Sequence, residues 1–252
     1  MAATIIMAST GTTTPSNSLA EDRLAWPRQA IGVAFLTASL GLLALALPRF
    51  LASLDLVETE PILQDVKDGK TVTPDDLRRL ADSRFRAAKR IDWGLVWTDA
   101  GLADVIAAYE SGLDTGEGRQ LISRAADSVA RGLALSPADP FAWARLGYIR
   151  FVQGQPKKAA EAVRMSIATG PHDPRLAPGR MELGLVVWRW FDTDSYGLIG
   201  DQVRYLWRLD PERLVQIAHK RAAAPFVRGF LRDSQDDVNE FNRHLALAIS
   251  RG

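Results

Sequence analysis

The stretch PADPFAWARLGYIRFVQGQPKKAAEAVRMSIATGPHDP, residues 137–174, decides the fold. It opens and closes on a Pro-x-Asp-Pro turn, and the two turns lie 34 residues apart. Between them the apolar residues recur at helical spacing. This predicts one helix over Phe141–Gln153, closed by Gly154, and a second over Lys157–Thr169, closed by Gly170. Sliding the sequence by the same 34 residues aligns Ala125 with Ala159, Val129 with Val163 and Leu133 with Ile167. A self-similarity at this period indicates stacked helix-turn-helix units.

With the unit started at Pro140, it resembles the tetratricopeptide repeat. Trp143, Leu146 and Gly147 stand where that family has Trp-x-x-Leu-Gly; Ala159 takes the small position at the helix crossing and Pro171 the closing proline. The physical reasons hold without the family. Gly147 and Ala159 let two helix axes approach, while Trp143, Leu146 and Val163 supply apolar mass between them. Arg150 and Ser166 depart from the pattern, where the family has Tyr and Ala. The preceding unit keeps only its second half, since the pattern is missing around Tyr109–Leu113. The following unit is stretched: its closing turn, Leu209-Asp210-Pro211, comes 40 residues after Pro171. Outside the repeat, Thr73-Pro74-Asp75-Asp76 is a helix start. Further helices are expected over Asp99–Tyr109, Gln120–Leu135 and Pro225–Arg251. The expected fold is all-α, a short tetratricopeptide-like array over 73–252, with Thr73–Tyr109 as its cap.

Upstream, Ala30–Leu47 is a run of eighteen residues without charge, nine of them Leu, Ile, Val or Phe. As a helix it is about 27 Å long, close to the hydrocarbon thickness of a bilayer. Arg28 and Arg49 flank it, Trp26 precedes it, and Pro48 is expected to end it. The run therefore reads as a single transmembrane helix over 30–48 in contact with membrane lipid, ahead of a cleaved signal peptide or a buried core helix. Residues 1–29 read as a polar, disordered tail, and 49–72 as a connector. Ala30, Ala34 and Ala38 form a line of small residues along which a second span could approach. Lys and Arg are almost tied across the span and lean slightly towards an N-terminus inside. The expected location is thus the bacterial inner membrane with the C-terminal domain in the periplasm.

The composition excludes several function classes. The chain of 252 residues carries 31 Lys+Arg against 30 Asp+Glu, three His and no Cys. That balance argues against nucleic acid as a partner. The lack of Cys removes disulfides, thiolate metal sites and thiol nucleophiles, and suits an oxidising compartment. The glycines at 112–118 are not followed by Gly-Lys-Ser/Thr, and no nucleophile elbow or His-Glu-x-x-His occurs. No catalytic residue, metal or cofactor is assigned, and the expectation is a non-enzyme. Asp192 and Asp194 read as turn residues. The candidate contacts for a protein partner are Arg150, Trp188, Trp190, Trp207, Lys220 and Arg221. Trp188 and Trp190, two residues apart, cannot share one helix face. His219-Lys220-Arg221 with Arg228 and Arg232 reads as a solvated face answered by Asp233, Asp236 and Asp237, with an acidic polymer or anionic lipid as its alternative ligand.

The span with its connection, the Ser136-Pro137-Ala138-Asp139-Pro140 turn and the Trp-rich stretch 180–209 are also similar to VpsP-like accessory proteins of bacterial polysaccharide biosynthesis. That resemblance covers roughly Ala30–Leu209. It implies an inner-membrane subunit assisting polymer assembly or export. A subunit or assembly factor of a respiratory or secretion complex would use the same surface, and an enzyme with an unrecognised site is the reading from another class. The charge pattern around the span yields the first test. A dual alkaline phosphatase and β-galactosidase reporter fused after Arg251 should give phosphatase activity; galactosidase activity there would reverse the orientation.

Overall fold

The computed structural model describes the backbone of residues 18–251 and the side chains of 30–250; all secondary structure among the described residues is helical. The helices are α1 (Ser18–Lys67), α2 (Pro74–Ile91), α3 (Gly94–Ser111), α4 (Gly116–Leu135), α5 (Pro140–Val152) and α6 (Pro156–Thr169). They continue as α7 (Ala177–Val187), a 3-10 turn at Trp188–Trp190, α8 (Thr193–Leu209), α9 (Pro211–Lys220), α10 (Ala224–Leu231) and α11 (Gln235–Arg251). The expected polar tail falls outside the described residues up to 17, and its last part belongs to α1. Two compact units divide the chain, one ending at Arg49 and the other beginning at Phe50.

In the first unit, residues 30–47 form a helix whose large apolar side chains are all exposed. It is the one helix among the described residues long and apolar enough to cross a membrane, with mean hydropathy 2.3 over its best window and none of that window buried. The hydroxyl of Thr37 donates to the Val33 and Ala34 carbonyls, so the polar side chain is satisfied within its own helix. Pro48 does not end the helix, contrary to the sequence expectation. The helix continues to Lys67. Proline leaves the Ala44 carbonyl without its ladder donor, and beside it the Arg49 guanidinium donates to the Leu45 carbonyl at 2.9 Å. Most of the expected connector, up to Lys67, is thus helix; Gly69, at φ 71°, turns the chain towards α2.

In the second unit, residues 50–67 of α1 dock on α2. Ala52, Thr59 and Leu63 are buried; the Thr59 and Ser83 hydroxyls share a hydrogen bond of 2.6 Å, and Arg84 meets Glu60 at 2.7 Å. Starts are written locally. Four helices, α2, α5, α6 and α9, begin on proline. Thr73, Thr115, Asp139, Asp192 and Asp210 accept backbone N–H groups at the starts of α2, α4, α5, α8 and α9. α3 begins at Gly94, five residues before the expected start, because Asp92 in the left-handed region (φ 44°) turns the chain immediately after α2. The single helix expected over Pro225–Arg251 is two. The Ser234 N–H bonds the Leu231 carbonyl, and the Ser234 hydroxyl caps Asp237 to start α11.

The apolar interior runs along the chain as a series of clusters rather than one centre. Leu63, Leu80, Ala81 and Ala103 join α1, α2 and α3. Ala108, Ile122, Val129, Leu146 and Ala162 join α3 through α6. Ala159, Val163, Val187 and Ile199 join α6 to α7 and α8, and Met181, Leu206, Leu214, Val227 and Phe241 join α7 through α11. Within this second unit, the helices thus bury their apolar stripes against near neighbours in sequence.

α3 and α4 approach most closely. A β-carbon on Gly101 would lie 2.5 Å from the Val129 side chain and 3.1 Å from the Ala125 carbonyl. One on Gly132 would lie 2.5 Å from the Thr98 side chain and 2.8 Å from the Gly94 carbonyl. The two backbones occupy space that side chains take elsewhere. Gly132→Ala should therefore lower the unfolding midpoint, by overpacking worth about 1–3 kcal/mol, although Ala is the better helix former. Gly197→Ala in α8, where a β-carbon meets open space, should hold or raise it. Equal midpoints for the two variants in thermal unfolding of the full chain in detergent would show that the approach carries no such constraint.

Candidate interaction surface

The residues nominated for packing come together at the α5–α6 pair. Gly147 and Leu146 are buried on α5, and Ala159 and Val163 on α6. A β-carbon on Gly147 would touch the Ala159 carbonyl and the Val163 side chain at 3.4 Å. Trp143 packs half-buried on the cluster beside α4, and its Nε1 donates to the Pro137 carbonyl at 2.8 Å. Pro171 is exposed; its carbonyl accepts from Gln202 Nε2 at 2.8 Å, which ties the turn to α8.

Ser166, one of the two departures from the repeat pattern, is the centre of a polar knot. Its hydroxyl donates to the Pro140 carbonyl at 2.6 Å and accepts from Arg180 Nε at 2.9 Å. Arg180, 2% exposed, donates further to the Ser166 carbonyl and to the Gly170 carbonyl. No carboxylate lies within ion-pair distance of it among the described residues. Burial draws its guanidinium down to about 10, so it stays charged at neutral pH. A buried cation held by neutral acceptors is costly unless every donor is satisfied, and here Ser166 of α6 and the closing Gly170 supply the acceptors. Arg150, the other departure, is half-buried and donates to Gln153 within its own turn.

Beside this knot runs a cleft of about 170 Å³ between α5 and α7. Ala144 and Tyr148 of α5, Gly179 and Leu183 of α7, and Arg175 before α7 line it, with Val163 of α6 and Arg180 at its base. Tyr148 stacks on Tyr109 of α3 at 6.0 Å between ring centroids. Arg175 lies over the Phe141 ring at 4.6 Å, and Phe151, 39% exposed, follows Tyr148 on the same face of α5. Tyr109 of α3 and Phe141, Tyr148 and Phe151 of α5 thus form one aromatic row beside the cleft, whose other wall is α7. The sequence analysis missed this row. Its signal is Phe141, Ala144, Tyr148 and Phe151, spaced by three or four residues on the helix face opposite Leu146 and Ile149.

The nominated contact residues do not form one surface. Trp190 is 45% exposed, whereas Trp188, its neighbour in the 3-10 turn, tilts against Phe226 at 5.4 Å. Trp207 is buried and donates to Asp237 at 3.0 Å, so it belongs to the interior. Lys220 and Arg221 both engage Glu182 of α7, at 3.0 and 2.7 Å, instead of the expected Asp233, Asp236 or Asp237. Their hydrogen bonds, Lys220 foremost, hold the Glu182 carboxyl below the usual range. Asp237 is occupied by Trp207.

The other perturbed carboxyls are also bound internally. Asp104 is pushed up by burial and drawn back by a two-point contact with Arg124 at 2.6 and 2.8 Å. Asp92 is held down by Arg131 and then Trp97, and Asp192 by its capping bonds to Ser195. No three His, Asp or Glu side chains converge as metal ligands among the described residues.

No family model matches the chain, and no curated protein matches it.

Removing the Ser166 hydroxyl should show what the knot is worth. Ser166→Ala leaves Arg180 Nε buried without its acceptor, which costs about 1–3 kcal/mol. The denaturant midpoint should fall accordingly, while helical circular dichroism of the folded chain is retained. An unchanged midpoint would mean that Arg180 finds another acceptor.

Proposed function

We propose that this chain is a membrane-anchored, non-catalytic scaffold that uses a tetratricopeptide-like helical array to hold a partner protein at the bacterial inner membrane. One observation carries the reading. A row of aromatic side chains from α3 and α5 borders a cleft between α5 and α7, in a chain that also bears an exposed apolar helix long enough to span a bilayer. A row of this kind offers an extended peptide or helix successive apolar rings, with Arg175 held by Asp173 at its edge. Side chains from separate helix pairs share it, so a partner bound there would read the array as a whole.

The non-catalytic part of the reading is supported by where the carboxyls are committed. Asp104, Asp92 and Glu182 are each taken up by a cation of the same chain, and Asp192 by a helix start. A role in polysaccharide assembly or export, with the array in the periplasm, is the specific form of the proposal that the VpsP-like resemblance suggests.

Photo-crosslinking tests it. A photoreactive phenylalanine analogue is placed at Tyr148 of the full chain, with Glu161 on the exposed face of α6 as control. In native membranes the analogue at 148 should give a discrete adduct with another protein, and the one at 161 none. Adducts only between copies of this chain, or equal adducts from both positions, would sink the scaffold reading.

A further inference from the structure

A second uncovered patch lies at one corner of the array, away from the aromatic row. Phe50, Leu51 and Leu54 of α1, Trp93 and Leu95 at the α2–α3 turn, and Leu135 at the end of α4 are between 36% and 57% exposed. Trp93 and Leu95 stand beside one small cluster, and Phe50, Leu51 and Leu54 lie on the opposite face of α1 from the residues it gives to that cluster. Ala52, Ala87, Ala88 and Val96 are buried there with Leu56, Ile91 and Trp97 packed over them, so α1 and the α2–α3 turn share a single site. α4 ends at the same corner: a β-carbon on Gly94 would lie 2.6 Å from the Ser136 hydroxyl.

The ionic groups around the patch carry an excess of positive charge. Arg86 and Arg90 share Asp55, Arg131 holds Asp92, and the Lys89 ammonium sits over the Phe85 ring at 4.4 Å. Four cations thus accompany two carboxylates. Trp93 and Leu95, on either side of the first residue of α3, are 55% and 49% exposed.

The occupant follows from covalent reach. Leu51 is four residues beyond Leu47, the last residue of the uncharged run, and four residues span at most about 14 Å. If 30–47 cross the bilayer, as proposed above, this corner cannot leave its surface. Tryptophan and leucine beside lysine and arginine are the side chains that settle at the boundary of headgroups and acyl chains. A cation excess there complements anionic lipid.

We infer that this corner of the array rests in the lipid headgroup layer, with Trp93 and Leu95 inserted at the α2–α3 turn. The inference rests on the spanning reading of residues 30–47. Its consequence is a fixed attitude of the array towards the membrane, held by a second contact besides the anchor.

The absence of Cys makes the test direct, since a single introduced cysteine is the only labelling site. Trp93→Cys, Leu95→Cys, Phe151→Cys and Leu40→Cys variants of the full chain are labelled with a polarity-sensitive fluorophore. They are reconstituted in phosphatidylcholine–phosphatidylglycerol vesicles. Labels at 93 and 95 should be quenched by a nitroxide on the lipid headgroup and protected several-fold from iodide relative to 151. The label at 40 should respond to a nitroxide deep in the acyl chains. Labels at 93 and 95 as open to iodide as 151, with 40 still in the hydrocarbon, would overturn the inference alone. That is also the result expected if a protein covers the patch instead. A water-exposed label at 40 would overturn both the inference and the spanning reading.

Discussion

The close approach of α3 and α4 is the constraint on which the array is built. Gly94, Gly101 and Gly132 leave room for backbone where other helices place side chains, and Thr98, Ala125 and Val129 fill the remaining space. At such a separation the pair gains dispersion contacts along its length and tolerates no added methyl group. The helices on either side then have a rigid face to lean on. α1 and α2 cover one side through Leu63, Leu80 and Ala103; α5 covers another through Ala142, Leu146 and Ile149. The α5–α6 pair repeats the device more loosely at Gly147 and Ala159, where a β-carbon would sit at ordinary contact distance.

That difference explains what could be read from the residues and what could not. The α5–α6 pair was legible because its small residues, Gly147 and Ala159, stand twelve apart with the tetratricopeptide wording around them. In the pair before it the equivalent meeting is Gly101 with Ala125, twenty-four apart, because both helices extend further from their turn. A comparison at fixed offset finds Ala125 and passes over Gly101. The following pair is stretched by the 3-10 turn Trp188–Trp190 and by the longer α8, which together displace its closing turn. Helix starts were visible because Pro, Thr and Asp act within one turn of the chain. Pairings made across the fold were not. Lys220 and Arg221 are followed in sequence by nearby aspartates, yet their partner is Glu182, almost forty residues earlier. Pro48 misled for a different reason: the loss of one ladder donor does not end a helix whose adjoining turns continue on both sides.

The aromatic row was hidden by its own regularity. Phe141, Ala144, Tyr148 and Phe151 share a helix with Leu146 and Ile149, so α5 is apolar nearly all round, and periodicity alone does not separate the buried stripe from the uncovered one. Only the placement of α3 and α7 divides them. By contrast, that the run at 30–47 is long and apolar enough to cross a bilayer can be read without a fold, because length and hydropathy alone decide it.

The buried guanidinium of Arg180 gives the array a direction. Its acceptors, Ser166 and Gly170, belong to the pair made earlier in the chain, while the residues it helps to seat, Ala177 and Met181, belong to the helices made later. The later helices are thus conditional on the earlier ones, and the reverse does not hold through this contact. Cut after Gly170, the earlier pair loses a donor at this contact. Begun at α7, the chain carries a charge with no place to put it. Through this contact the dependence runs one way along the chain.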